Sequence, residues 1–233
     1  MSTYSSRLRW FVIQPFSSKS LSRIAEQMLA AKYDERLGFG YVLSDVRKSH
    51  VSGRFVQRET VTSSFLDPSG NEKTLSFEQF CSTTFILRTA APHLEIANPA
   101  RRVSELLTSI GDMLDNTISI VPIEVRISDW LAAFKKANCS VTALKLVTDN
   151  VTLSPSISVK ATFSGNNDVR SEASKFFKTS RVLPELIAGT LAHEHESATF
   201  KLSVRGVFTF LSEPSESVRE AVRKAATLIA AQK

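Results

Sequence analysis

The residues equipped for chemistry are few, and His193-Glu194-His195 is the most distinctive group. On a strand, residues i and i+2 point the same way, so the two imidazoles could grip one metal ion. A zinc site needs three or four ligands. His50, His93, Glu194 and Glu196 are the other candidates, and no spacing selects among them. The expected role of Ala192 to Ser197 is therefore a polar hairpin tip joining two strands. Glu95 and Glu124 raise metal-dependent phosphodiester hydrolysis, which places acidic groups and a lysine at the ends of adjacent strands. Glu124-Val125-Arg126 has an arginine where that lysine would stand, and no aspartate lies on an obvious preceding strand. Glu124 reads better as a polar residue on a half-exposed strand. Gly38-Phe39-Gly40 lacks the third glycine or the lysine of a phosphate loop. No serine is paired with a base. With four histidines and two cysteines scattered along the chain, nucleophilic mechanisms lack parts. The chain reads as non-enzymatic, with no cofactor and no metal.

The other recurrent chemistry is cationic. Arg47, Lys48, Arg54 and Arg58 cluster around a hairpin-like region. Arg54 and Arg58 share one strand face with Ser52, Val56, Thr60 and Thr62. Lys160, Lys201 and Arg205 add charge to wet strand faces in the second half. Arginine and lysine on strands can pair with phosphates, in a salt-sensitive and sequence-blind way. The competing reading is a solvated face whose lysines discourage edge pairing, since Glu59, Glu72 and Glu78 are interspersed. Most of the 15 phenylalanines fall at inward positions, so stacking platforms for bases are not evident. The segment Val169 to Arg181 carries Arg170, Lys175, Lys178 and Arg181, and reads as the ordinary charged face of a helix.

The clearest positioning element is Thr199 to Phe210. Phe200, Leu202, Val204, Gly206, Phe208 and Phe210 alternate with Lys201, Ser203, Arg205, Val207 and Thr209. That pattern predicts one long half-buried strand, bent at Gly206. A helix from Pro214 to Ala231 follows, capped by Ser212 or Ser215. Its apolar stripe of Val218, Ala221, Val222, Ala225, Leu228 and Ile229 is expected to cover the phenylalanine face.

The remaining elements follow the same periodicities. Strands are expected at Leu8–Gln14, Phe39–Val46, Val51–Val61, Leu75–Phe80, Thr83–Arg88, His93–Ala97, Ile118–Ile127, Val141–Thr148, Ile157–Phe163 and Leu183–Ala192. Asp67-Pro68-Ser69-Gly70-Asn71 marks a turn. A helix from the serines 17, 18 and 20 to about Lys32 buries Leu21, Ile24, Ala25, Met28 and Leu29. Another opens at Asn98-Pro99 and buries Val103, Leu106, Leu107, Ile110 and Leu114. Ser128-Asp129 caps a short helix bearing Trp130, Leu131 and Phe134. Asp168 to Thr179 turns Val169, Ala173, Phe176 and Phe177 inward.

The fold expected is α+β, mainly antiparallel sheet with helices packed on one face. It forms one domain over 1–233 or two similar lobes, 1–116 and 139–233, with the boundary near 116–138. The chain has 233 residues, of which 42% are hydrophobic, enough for a proper core. Net charge is +6 and the pI is near 9.4. Cys81 and Cys139 lie too far apart to imply a disulfide framework. Neither a signal peptide nor a run of transmembrane length is present, so a cytoplasmic protein without membrane contact is expected. The leading function is nucleic-acid binding, to DNA or RNA, by basic sheet faces and loops. The alternative is a subunit that assembles with itself or a protein partner through strand edges or a helix face. A metal-dependent hydrolase or nuclease ranks behind both.

Overall fold

The computed structural model describes residues 4–99, 103–154, 157–177 and 183–232. In chain order the elements are β1 (Ser6–Gln14), α1 (Ser18–Ala30), β2 (Phe39–Val46), β3 (His50–Leu66), β4 (Glu72–Arg88), β5 (Leu94–Ala97), α2 (Val103–Asp112) and β6 (Ser119–Pro122). Then come α3 (Ile127–Lys136), β7 (Cys139–Ser154), β8 (Ile157–Ser164), α4 (Arg170–Phe176), β9 (Pro184–His193), β10 (Glu196–Ser203), β11 (Phe208–Phe210) and α5 (Glu216–Ala230). This is an α+β fold dominated by antiparallel sheet. The chain forms two compact units. The first holds Met1–Val12, Ala91–Glu95 and Val121–Lys233, and the second holds Ile13–Ala90 and Ile96–Ile120.

In the first unit the strand order is β8-β7-β9-β10-β11-β1. Thr199 to Phe210 is a hairpin and not the single bent strand that its alternation predicts. β10 ends at Ser203, and β11 returns antiparallel with Phe200 opposite Phe210 and Leu202 opposite Phe208. The reversal keeps the phenylalanines on one face, because opposed residues of a ladder share a face. The Phe200 and Phe208 rings stack with centroids 5.3 Å apart. Gly206 makes the turn possible. Its φ is +69°, and a Cβ there would overlap the Ile123 carbonyl. α5 packs over β9 and β10 and against α3, as the sequence requires. From α3, Phe134 meets Phe200 edge-on at 6.3 Å and Phe208 at 6.0 Å. The Ser215 hydroxyl caps α5 at the Val218 N–H.

The second unit is built on the β2-β3-β4 sheet. Its core face carries Tyr41, Val51, Phe55, Phe85 and Leu87, all buried. α1 lies on β2 and β3, capped by the Ser17 hydroxyl and buried through Leu21, Ile24, Ala25 and Met28. Leu29 is exposed instead of joining that stripe. The Tyr41 hydroxyl donates to Ser109 Oγ of α2 at 2.7 Å, and burial pushes its pKa up to about 12. Residues 75–80 and 83–88 belong to one 17-residue strand, β4, paired to β3 without interruption. The Cys81-Ser82 step that suggests a break pairs with Gln57 and Val56 in ordinary register.

Four further expectations change. Only Ser119–Pro122 of the 118–127 segment is strand, in keeping with Pro122 and its missing N–H. α3 starts at Ile127, so Ser128 and Asp129 sit within its first turn, and Asp129 pairs with Arg126. α4 spans Arg170–Phe176 and buries Ala173, while Phe176 stays exposed; Val169 and Phe177, just beyond its ends, are buried. Lys178, Thr179 and Arg181 lie outside the described residues. So do residues 100–102, where the helix opening at Asn98-Pro99 was expected to begin. Asn98 itself has φ +48°, which is not the extended backbone of an N-cap.

Candidate nucleic-acid interface

One face of the first unit's sheet is covered by α3 and α5, and the opposite face carries the cations. Alternation along each strand selects which side chains reach it. Arg7 of β1 stands opposite Thr209 of β11, and Thr209 opposite Lys201 of β10. Lys201 stands opposite Ala188 of β9, and Ala188 opposite Lys145 of β7. Lys145 in turn faces Ser164 of β8. Arg7, Lys201 and Lys145 are exposed and lie in one cross-strand row. Four strand spacings separate the outer two, so the row is roughly 20 Å long.

Lys145 owes its direction to an irregularity. The pairing of β7 with β9 steps from Ala143–Gly189 to Lys145–Ala188, which leaves Leu144 as an extra residue. Such a bulge shifts the alternation, so Lys145 turns outward and Leu146 goes into the core. Lys160 lies on the same outward series of β8 as Thr162 and Ser164. Between β9, β10, β11 and β1 the face is hollowed into a depression of about 320 Å³. Arg7, Lys201 and the hydroxyls of Ser5, Ser203 and Thr209 border it, over a floor and wall that include Leu186, Val207 and Leu211. Cations and hydroxyl donors around one shallow hollow suit a phosphate group. Next to Arg7 on the same face, Arg9 is held by Glu124 at 3.4 Å and lies over the Phe11 ring. Among the described outward positions of these six strands there is no Asp or Glu, and the one aromatic residue, Phe11, is buried.

The sequence predicted seven cationic residues, and the structure sorts them. Lys160 and Lys201 belong to the face just described. Arg205 does not continue it: Val204 to Gly206 form the reversing turn, where Arg205 is exposed. The other four lie in the second unit. Arg54 and Arg58 do share an exposed face of β3. Arg58, however, reaches Glu78 on β4 at 3.5 Å. Arg47 pairs with Asp45 at 2.9 Å, and His50 Nε2 meets the same carboxylate at 3.0 Å. Burial alone would raise the Asp45 pKa, but His50 and Arg47 together hold it below its ordinary value. Lys48 sits in the β2–β3 turn, beside a shallow depression it shares with Lys19 and Arg23 of α1. Arg23 is bonded to Asp115 at 2.7 Å. These four form no row like that of the first unit, and Arg47 and Arg58 already hold carboxylates. Arg7 and Lys145 escaped the sequence reading. Arg7 was visible in the Arg7-Leu8-Arg9-Trp10 alternation, whereas Lys145 depends on the bulge and had no linear signal.

The alternative chemistries find no assembled site. His193 ends β9, and its Nδ1 lies 3.2 Å from the Asn138 carbonyl. Glu194 and His195 form the two-residue turn into β10, with Glu194 at φ +55°, so the two histidines do not share a strand face. Glu95 is buried; Trp10 Nε1–H donates to it at 3.1 Å, and Arg223 Nε–H at 3.2 Å. Arg223 also donates to Glu216 at 3.0 Å. Glu95 therefore ties β5, β1 and α5 together inside the first unit. Among the described residues no three His, Cys, Asp or Glu side chains gather as a metal would require. Burial pushes the Cys139 thiol up, away from a reactive thiolate. Gly40 of the Gly38-Phe39-Gly40 stretch is structural: φ is +152°, and a Cβ would overlap the backbone of Tyr33. No helix among the described residues is long and apolar enough to cross a membrane. No model of a known protein family matches the chain, and no curated protein is significantly similar to it.

Proposed function

We propose that this chain is a non-enzymatic nucleic-acid-binding accessory protein whose principal contact surface is the outer sheet face of the first unit. The observation that carries this reading is the in-register row of Arg7, Lys201 and Lys145, with Thr209 between the first two. Cations that share a face with acids are largely neutralised. Lys201 and Lys145 stand with Arg7 in one row on a face whose described outward strand positions include no acid, so the face is positive along the row. Phosphate oxygens accept hydrogen bonds from the guanidinium, the two ammonium groups and the flanking hydroxyls. Lys160 extends the same surface. With the outward-series Phe11 buried and no exposed aromatic among the described outward positions to stack on bases, recognition rests on the backbone and tolerates any sequence. Arg54 and Lys48 of the second unit are secondary contacts, and Arg47 and Arg58 contribute less because of their carboxylate partners. Cys81 and Cys139 are not joined in a disulfide, which suits a reducing cytoplasmic compartment.

Anisotropy with labelled single- and double-stranded DNA and RNA, at low and near-physiological salt, tests this. Three phosphate contacts predict a slope of log K against log salt of about −2 to −3. Lys145→Glu/Lys201→Glu is expected to lose roughly 100-fold in affinity, since each change removes one contact and adds a repulsion. Arg54→Glu/Arg58→Glu is expected to lose less. Absence of binding at low salt, or wild-type binding by Lys145→Glu/Lys201→Glu, would overturn the reading.

A further inference from the structure

The β3–β4 hairpin is longer than the body that supports it. β2 reaches only to Gln57, so Arg58–Leu66 has no further described strand on that edge. The hairpin runs on for nine more residue pairs, from Arg58–Phe80 to Leu66–Glu72. Its two faces differ. One is polar through its middle, with Thr60, Thr62, Ser64, Thr74, Ser76 and Glu78 and with the Thr62 and Ser76 hydroxyls 3.2 Å apart, while Phe80 opposite Arg58 and Leu66 opposite Glu72 stand at its two ends. The other continues the series that at the base is core: Val51, Gly53, Phe55, Phe85 and Leu87. Beyond the base it presents Val61, Phe65, Leu75 and Phe77. Phe65 is 51% exposed, Leu75 56% and Phe77 47%. A ribbon wet on both sides would alternate polar with polar. An apolar stripe of this size, opposite a polar face, marks a surface that is covered in the working state.

We infer that the stripe is covered by the same stripe of a second copy of this chain, the two arms packing face to face and antiparallel. The pattern is self-complementary about its middle. In sequence along the arm the opposed pairs are Glu59–Gln79, Val61–Phe77, Ser63–Leu75 and Phe65–Lys73. Reversing one arm over another puts the Val61–Phe77 pair onto Ser63–Leu75, so that Val61, Phe77 and Leu75 meet, and puts Phe65–Lys73 onto Glu59–Gln79. The same reversal brings Lys73, which also holds Asp67 of its own turn at 3.2 Å, to the Glu59 end of the other arm, opposite charges at both rims. A two-fold arrangement makes every such contact twice. It also supports a two-stranded ribbon that would be marginal alone in water.

Sedimentation velocity over a range of concentrations reads the outcome. The wild-type chain is expected to associate reversibly to twice its 25.8 kDa mass. Leu75→Asp/Phe77→Asp is expected to raise the dissociation constant by roughly 30-fold or more, the loss typical of a central apolar anchor. Its fold is retained, because these side chains lie outside the monomer core, and circular dichroism checks this. Glu59→Lys is expected to weaken association, and Glu59→Lys/Lys73→Glu to restore it, which only a like-with-like contact explains. Amide exchange across residues 61–77 of the wild-type chain should slow as concentration rises, a readout independent of any variant. A chain that stays at 25.8 kDa throughout overturns the inference. So does a dimer that Leu75→Asp/Phe77→Asp leaves intact, or one whose arm amides ignore concentration.

Discussion

The β10–β11 hairpin and the outer half of the β3–β4 hairpin are written with the same alternation of apolar and polar residues. In the first, Phe200, Leu202, Phe208 and Phe210 are fully buried beneath α3 and α5. In the second, Phe65, Leu75 and Phe77 stand about half exposed. Alternation tells which side of a strand is apolar; it does not tell what covers that side. For β10–β11 the cover follows at once in the chain, as α5. For the arm no described element of the second unit pairs beyond Gln57. The polar faces differ as well. The first unit turns a row of cations outward, whereas the second neutralises Arg47 and Arg58 with neighbouring acids.

The difference is sharpest in a pair of truncations. Phe208→Ala removes a ring that stacks on Phe200 and touches Phe134 and Phe210, at a cost of roughly 3–5 kcal/mol in thermal or urea unfolding. Phe77→Ala, measured at concentrations low enough to keep the chain monomeric, should cost less than about 0.5 kcal/mol. Equal costs would mean that the arm is buried within the monomer, and the contrast would fail.

Gly206→Ala comes next. The turn that folds β11 back under the helices needs φ near +69° and no Cβ against the Ile123 carbonyl. A loss of roughly 2–4 kcal/mol is expected, from left-handed strain together with displacement of the 123 backbone. Gly70→Ala, at the tip of the arm, also has a positive φ but meets nothing within 4 Å, so its cost should stay near 1 kcal/mol, the strain alone. If the two glycines behaved alike, the tight approach at Gly206 would be refuted.

Glu95→Gln tests the latch beneath the covered face. The amide keeps an acceptor for Trp10 but leaves the Arg223 guanidinium without its buried countercharge. Because Arg223 is about one-third exposed and keeps Glu216, the expected loss is moderate, about 2 kcal/mol. Nucleic-acid affinity should not change, since Glu95 lies on the helix side of the sheet. A fall in affinity at unchanged stability would instead assign Glu95 to the interface.

Much of this architecture is legible in the residues. Ser17 and Ser215 announce the helices they cap, the Asp67–Asn71 turn is explicit, and β2 matches its predicted bounds. What is not legible depends on register between distant strands. Nothing near Lys145 says that a bulge will aim it outward beside Lys201, 56 positions away in the chain. Glu95 looks like a candidate acid until Trp10 and Arg223 close on it. The Thr199–Phe210 pattern fits a bent strand and a hairpin equally, because both keep even-numbered residues on one face. Only the close approach of Gly206 to Ile123 decides between them.

Acid should separate the two regions by the smallest effect. Asp67 in the arm turn is held below the ordinary carboxyl value of 3.8, first by the Asn71 N–H and also by Lys73 and the Ser69 N–H. Asp168 is held down chiefly by Arg170, and its Oδ2 accepts from the Ala143 N–H of β7 at 3.3 Å. A carboxyl group whose folded value is depressed contributes its full stabilisation above the unfolded value. That contribution is lost as pH falls through the folded value. Both sites should therefore weaken only below pH 3.8. Their consequences differ, because Asp168 anchors a strand beneath the helices and Asp67 closes a turn at the end of an arm. NMR amide shifts of Ser69 and Asn71, and of Ala143 and Arg170, should both move over that range. The melting temperature should become less acid-sensitive in Asp168→Ala and keep its acid dependence in Asp67→Ala. If Asp67→Ala removed the acid dependence instead, the arm turn would belong to the cooperative core, and the division between a covered face and a projecting one would have to be redrawn.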